Sequence, residues 1–204
     1  MFQRILHFIY FWKYNVRPEH IESQSKKLVL YGAKQAFILF KDEKFRQLVK
    51  FTEIGEEEQN RIFNELMVTN LMFLMFLLEQ ILKEANDEKR KLYYKSLRET
   101  VPEYFKKYLR TIGIQEEYAS IWDALIDLRY DEYSKDIIDV RSEFLKGDNE
   151  LSELGKQNIA MIYQSLALGL YRHIVRGKIV QDDPLYKYLQ LYLLIVHRGY
   201  LKNI

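Results

Sequence analysis

EEEQNRIFNELMVTNLMFLMFLLEQILKEA, residues 56–85, is the stretch that decides the fold. Glu58, Arg61, Glu65, Thr69, Met72, Phe76, Glu79 and Lys83 recur along it at helical spacing, and this line is polar at both ends and apolar at its centre. Leu71–Leu78 is eight apolar residues without a break. A helix apolar on every side in its middle is a helix covered on every side. At 1.5 Å per residue it spans roughly 45 Å. A compact domain of this length has a diameter of about 43 Å, so the helix crosses the whole of it. The most apolar part, Leu66–Leu82, holds 17 residues and is interrupted by Thr69, Asn70, Glu79 and Gln80. That is the short limit for a membrane span, and the segment reads as a buried core helix.

The rest of the 204-residue chain is punctuated in the same helical grammar. Pro18, Pro102 and Pro184 fit first turns of helices, where a missing N–H costs nothing. Gly55, Gly113, Gly147, Gly177 and Gly199 follow apolar-periodic segments, as helix stops do. The expected helices cover 2–14, 18–40, 42–53, 56–85, 88–99, 101–111, 115–146, 151–176 and 184–198. No segment alternates as a hairpin strand does. The expectation is an all-α, single-domain bundle spanning 1–204, of about eight or nine helices, two of them long. Residues 1–14 are set apart as a helix that docks on the bundle or lies in a membrane interface.

Composition narrows the chemistry. Hydrophobic residues make up 48% and charged residues 29%, the balance of a globular rather than a disordered chain. There is no cysteine, which excludes disulfides, thiol nucleophiles and cysteine-held metal centres. Residues 1–50 carry 10 basic and 4 acidic groups, and residues 151–204 carry 7 and 3, while the stretches between are net acidic. The scattered spacing fits mutual neutralisation within the fold better than a basic face for an anionic partner.

Motifs for catalysis fail one by one. The four histidines, His7, His20, His173 and His197, form no Glu-x-x-His or His-Glu-x-x-His pattern. His173 and His197 sit among Arg and Lys just before a glycine, where the helix dipole favours cations. Acidic clusters such as Glu56, Glu57 and Glu58 open helices for the same reason. The acidic pairs Glu53–Glu56 and Glu84–Asp87 stand at opposite ends of one helix and cannot share a magnesium ion. A helix-turn-helix reading of 104–123 puts Glu116 and Glu117 where phosphates would lie, so nucleic acid is not an expected partner. Phosphate loops, dinucleotide glycine motifs and serine elbows are absent, and no cofactor is expected.

Three constellations remain. Asp123, Asp127 and Asp131 repeat every four residues, a like-charge stripe that a divalent metal could relieve. Arg129 falls on the apolar face of Trp122, Leu125, Ile126 and Tyr133 and demands a carboxylate or a ligand. Asn70 is an amide among apolar neighbours. With Met72, Met75, Phe76 and Arg129 it is the candidate lining of a pocket for a small, mainly apolar ligand. Phe2, Ile5, Phe8, Ile9 and Trp12 form an apolar face suited to a membrane surface. The functional expectation is a non-catalytic interaction or regulatory module with a protein partner, a homo-oligomer or a membrane surface. It is cytoplasmic, or peripheral to a membrane. The alternative is a ligand-binding helical protein or enzyme.

Overall fold

The computed structural model describes residues 14–146, 154–177, 180 and 182–204. Among these residues there are seven α-helices and no strand. They are α1 (Pro18–Lys41), α2 (Glu43–Leu48), α3 (Glu56–Glu84), α4 (Glu88–Thr111), α5 (Ala119–Lys146), α6 (Leu154–Val175) and α7 (Pro184–Asn203). Two 3-10 turns, Phe51–Glu53 and Glu116–Tyr118, link α2 to α3 and α4 to α5.

Local chemistry sets most starts. Asp42 accepts from the Phe45 N–H at 2.8 Å and opens α2. Asp87 does the same for Arg90 at 3.0 Å to open α4. Asp183 accepts from Leu185 at 2.7 Å, and Pro184 takes the first turn of α7. Glu56, Glu57 and Glu58 place negative charge on the first turn of α3.

Several boundaries depart from the sequence reading. The stretch 42–53 is not one helix, because Lys50 takes a left-handed backbone at φ 52° and ends it. Residues 88–99 and 101–111 merge into α4, with Pro102 inside the helix. Proline forfeits the hydrogen bond to the Arg98 carbonyl and costs about 3 kcal/mol. Tyr94, Leu97, Val101, Phe105 and Leu109 nevertheless form one buried stripe through it. Burying one such side chain is worth about 1.5–3 kcal/mol, so two of them outweigh the break. Gly199 does not stop α7, which runs on to Asn203 because Tyr200 is buried against the core. The expected helix 2–14 lies outside the described residues apart from Tyr14. The Tyr14 ring meets those of Tyr93 and Tyr94 edge-on at 5.5 and 5.9 Å.

The axis of the bundle is α3. Its residues from Glu65 to Leu78 are all buried. Although α3 is long and apolar enough to cross a membrane, here it is the core helix. The helices α1, α4, α5, α6 and α7 pack around it. Neighbours around the ring run α1, α7, α6, α5, and then α4, which closes back on α1. The α4–α5 contact is carried by Phe105 against Trp122, with ring centroids 6.0 Å apart, and by Lys106 paired with Asp123 at 2.9 Å. The outer side of α5 therefore lies across the bundle from the α1–α7 seam.

Candidate functional site

Residues on α3 point in two directions. Glu65 and Asn70 are five positions apart, about 140° around a helix, so they face different neighbours. Asn70 looks toward α1 and α7. Its Nδ2 donates to the Gly32 carbonyl at 2.9 Å and to the Tyr192 hydroxyl at 2.5 Å. The Tyr200 hydroxyl donates to the Asn70 carbonyl at 3.0 Å. The Asn70 Oδ1 is buried without a partner. Burial pushes the Tyr192 and Tyr200 hydroxyls above the ordinary tyrosine range, so both stay neutral donors.

Glu65 looks toward α5 and α6. Arg129 grips it with two hydrogen bonds, Nε to Oε2 at 2.9 Å and Nη2 to Oε1 at 2.6 Å. The third arm, Nη1, donates to Glu132 at 2.6 Å. His173 Nε2 stands 3.3 Å from the same Glu132 carboxylate, and burial holds this imidazole below its ordinary value. Beside the pair, Thr69 and Tyr133 share a hydrogen bond of 2.9 Å. Arg61 donates to the carbonyls of His173 and Ile174 and so caps α6.

The proposed lining residues do not share a cavity. Asn70 and Arg129 serve different seams of the bundle. Met72, Met75 and Phe76 are packed in the core, where Phe76 stacks on Tyr130 at 5.2 Å. Of the aspartate stripe, Asp123 is paired with Lys106, while Asp127 and Asp131 are exposed. Among the described residues, no group of three carboxylate or imidazole ligands is arranged to hold a metal ion. Phe2, Ile5, Phe8, Ile9 and Trp12 lie outside the described residues.

A different surface stands out. Residues 23–41 and 184–204 contain no Asp or Glu; the first stretch is α1 beyond its opening turns, which carry Glu19 and Glu22, the second takes in α7, and the two helices lie side by side. Their seam is a reciprocal fit. A Cβ on Gly32 of α1 would collide with the Tyr200 hydroxyl of α7, and one on Gly199 of α7 with the Tyr31 ring of α1. The two rings meet edge-on at 5.2 Å. Outward from this seam α1 presents Lys27, Leu30, Lys34, Phe37, Ile38 and Lys41, and α7 presents Leu191, Ile195, Arg198 and Lys202. Phe37, Ile38, Leu191 and Ile195 are 48–54% exposed. The Lys41 ammonium lies 4.3 Å over the Phe37 ring, with its stem along the apolar surface. Between the helices runs a groove of about 220 Å³ lined by Ile38, Leu39, Leu191, Tyr192 and Ile195. At one end Asp42 accepts from the Tyr188 hydroxyl at 2.7 Å and is spent on that bond and its helix cap.

No family model, no curated protein and no solved structure matches this chain. From the sequence, mutual neutralisation of the basic ends within the fold is favoured over a basic face for an anionic partner. The usable signal was the lack of carboxylates in two helical stretches; that they adjoin follows only from the fold.

Proposed function

We propose that this protein is a non-catalytic helical module that docks on an anionic membrane surface through the α1–α7 face. The supporting observation is the pair of adjacent helical stretches free of carboxylates, 23–41 and 184–204, which expose cations and large apolar side chains together. An anionic bilayer attracts each nearby Lys or Arg by about 1 kcal/mol. Exposed Phe, Ile and Leu between those cations suit the boundary between headgroups and acyl chains. They are of no use on a nucleic-acid backbone, which favours cations and polar donors. The Glu65–Arg129 hub is satisfied by the protein itself, and the Asn70 amide nitrogen is turned onto Gly32 and Tyr192.

The test is cosedimentation with vesicles of phosphatidylcholine, with and without phosphatidylserine. The protein pellets only with the anionic vesicles, and added salt releases it. Lys34→Gln, Lys41→Gln and Arg198→Gln each weaken binding about fivefold, the equivalent of about 1 kcal/mol. Equal binding to neutral vesicles, or binding unchanged by the three substitutions, refutes the reading. Recovery of an acidic protein in place of lipid would assign the face to that partner.

A further inference from the structure

We infer that the outer stripe of α5 is a self-complementary contact that pairs antiparallel with the same stripe of a second copy of this chain. It uses none of the residues of the α1–α7 face and stands without that reading.

Ile121, Leu128 and Ile138 are 61%, 51% and 64% exposed on α5. With Ala124, Asp131 and Lys135 they recur at alternating steps of three and four, the a and d seam of a coiled coil. The line from 121 to 142 covers about six turns. Asp127, Asp131, Lys135 and Arg141 are exposed beside or within this stripe, and none has an ion-pair partner among the described residues. Asp127 and Asp131 repel each other along the helix, and Lys135, one turn further on, offsets only the last of them.

An antiparallel pair sets position a of one helix against d of the other. Placing the two-fold axis at the level of Tyr133 matches the central residues of the stripe. Leu128 then faces Ile138 of the second copy, and Lys135 faces Asp131 of the second copy. At the flanking positions Asp127 faces Arg141 of the second copy. Symmetry repeats each contact, giving four ion pairs around two apolar layers. Sliding by one heptad in one direction sets Ile121 against Ile138 but Leu128 against Asp131 and Lys135 against Ala124, and in the other it sets Lys135 against Ile138; either slide loses the four ion pairs. Glu132, beside the axis, is held by Arg129 and does not bring an uncompensated charge. An interface where the same patch meets itself closes at two copies.

Sedimentation equilibrium of the full chain tests this, with melting temperature as the control for folding. The wild type is a dimer. Asp131→Lys alone and Lys135→Asp alone each set like charges against each other twice, and raise the dissociation constant about a hundredfold. The double variant Asp131→Lys with Lys135→Asp restores the dimer. At concentrations where the wild type is monomeric all three melt with it, because both positions are exposed. A wild-type monomer at every concentration overturns the proposal. A dimer indifferent to the single swaps, or singles that weaken it without rescue in the double, overturns the register and the assignment to α5.

Discussion

Three glycines in helix interiors each make room for one tyrosine. Gly32 admits the Tyr200 hydroxyl, Gly199 the Tyr31 ring and Gly169 the Tyr133 ring. In an exposed helix, Gly→Ala gains about 1 kcal/mol. Here the sign depends on whether the tyrosine can move. Tyr133 and Tyr200 are fully buried, so Gly169→Ala and Gly32→Ala should each cost roughly 1–3 kcal/mol by overpacking, read as lost denaturant stability. Adding Tyr200→Phe to Gly32→Ala removes the clashing oxygen and should recover part of the loss. Tyr31 is only half-buried and can swing outward, so Gly199→Ala should cost less than the other two. Gains at all three positions would show open space where the structure has rings. Sequence alone marks Gly32 and Gly169 as places of close approach, since an interior glycine needs compensation. What approaches them was not legible, because each ring comes from a helix far along the chain.

Among the elements, α3 and α5 show how much helical pattern can tell. The pattern places Arg129 on an apolar face and so requires a partner, and the partner is Glu65. It could not be chosen in advance, because Glu65 shares its line of α3 with Glu58 and Glu79, two further carboxylates that take other arginines. The pair predicts an asymmetric response. Arg129→Met leaves the buried Glu65 carboxylate uncompensated and should cost about 3–5 kcal/mol, and Glu65→Gln, which leaves Arg129 its second partner Glu132, should cost less. Replacing both with apolar residues of similar volume should cost much less than the two single losses together. Urea unfolding of the four proteins measures this, and simple additivity would mean the pair is solvated rather than buried. The elements also show where local rules yield. Pro102 reads as a helix start, yet α4 passes through it because the buried stripe from Tyr94 to Leu109 outweighs one lost hydrogen bond.

At the scale of the molecule, the all-helical class was legible from punctuation and period, and the ring of helices around α3 was not. Periodicity gives each helix a buried side but no order of neighbours. Electrostatics at this scale make a pH prediction. Burial holds the His173 and His197 imidazoles below their ordinary values, against Glu65 and Glu132 for His173 and with help from Arg198 for His197. Both therefore bind protons more readily in the unfolded chain. Their contribution is complete above the unfolded value of about 6.5 and is lost as pH falls through the lower folded values. Melting temperature should decline from about pH 7.5 to about pH 5.5, before ordinary carboxylates titrate. His173→Gln and His197→Gln should each flatten part of that decline. A level profile across this range in the wild type would show that neither imidazole is held neutral.

The seam between α1 and α7 has a consequence for how the protein is made. The first and last described helices interlock, and Asn70 in the middle of the chain waits on Tyr192 and Tyr200. On the ribosome, α1 and α3 emerge long before the helix that completes them. During that interval the notch at Gly32 has no occupant, the Asn70 amide has only the Gly32 carbonyl of its two partners, and the flank of α3 that α7 covers is open to the solvent. The nascent chain is then a natural client for a holding chaperone. The seam closes only once α7 is present and its tyrosines seat.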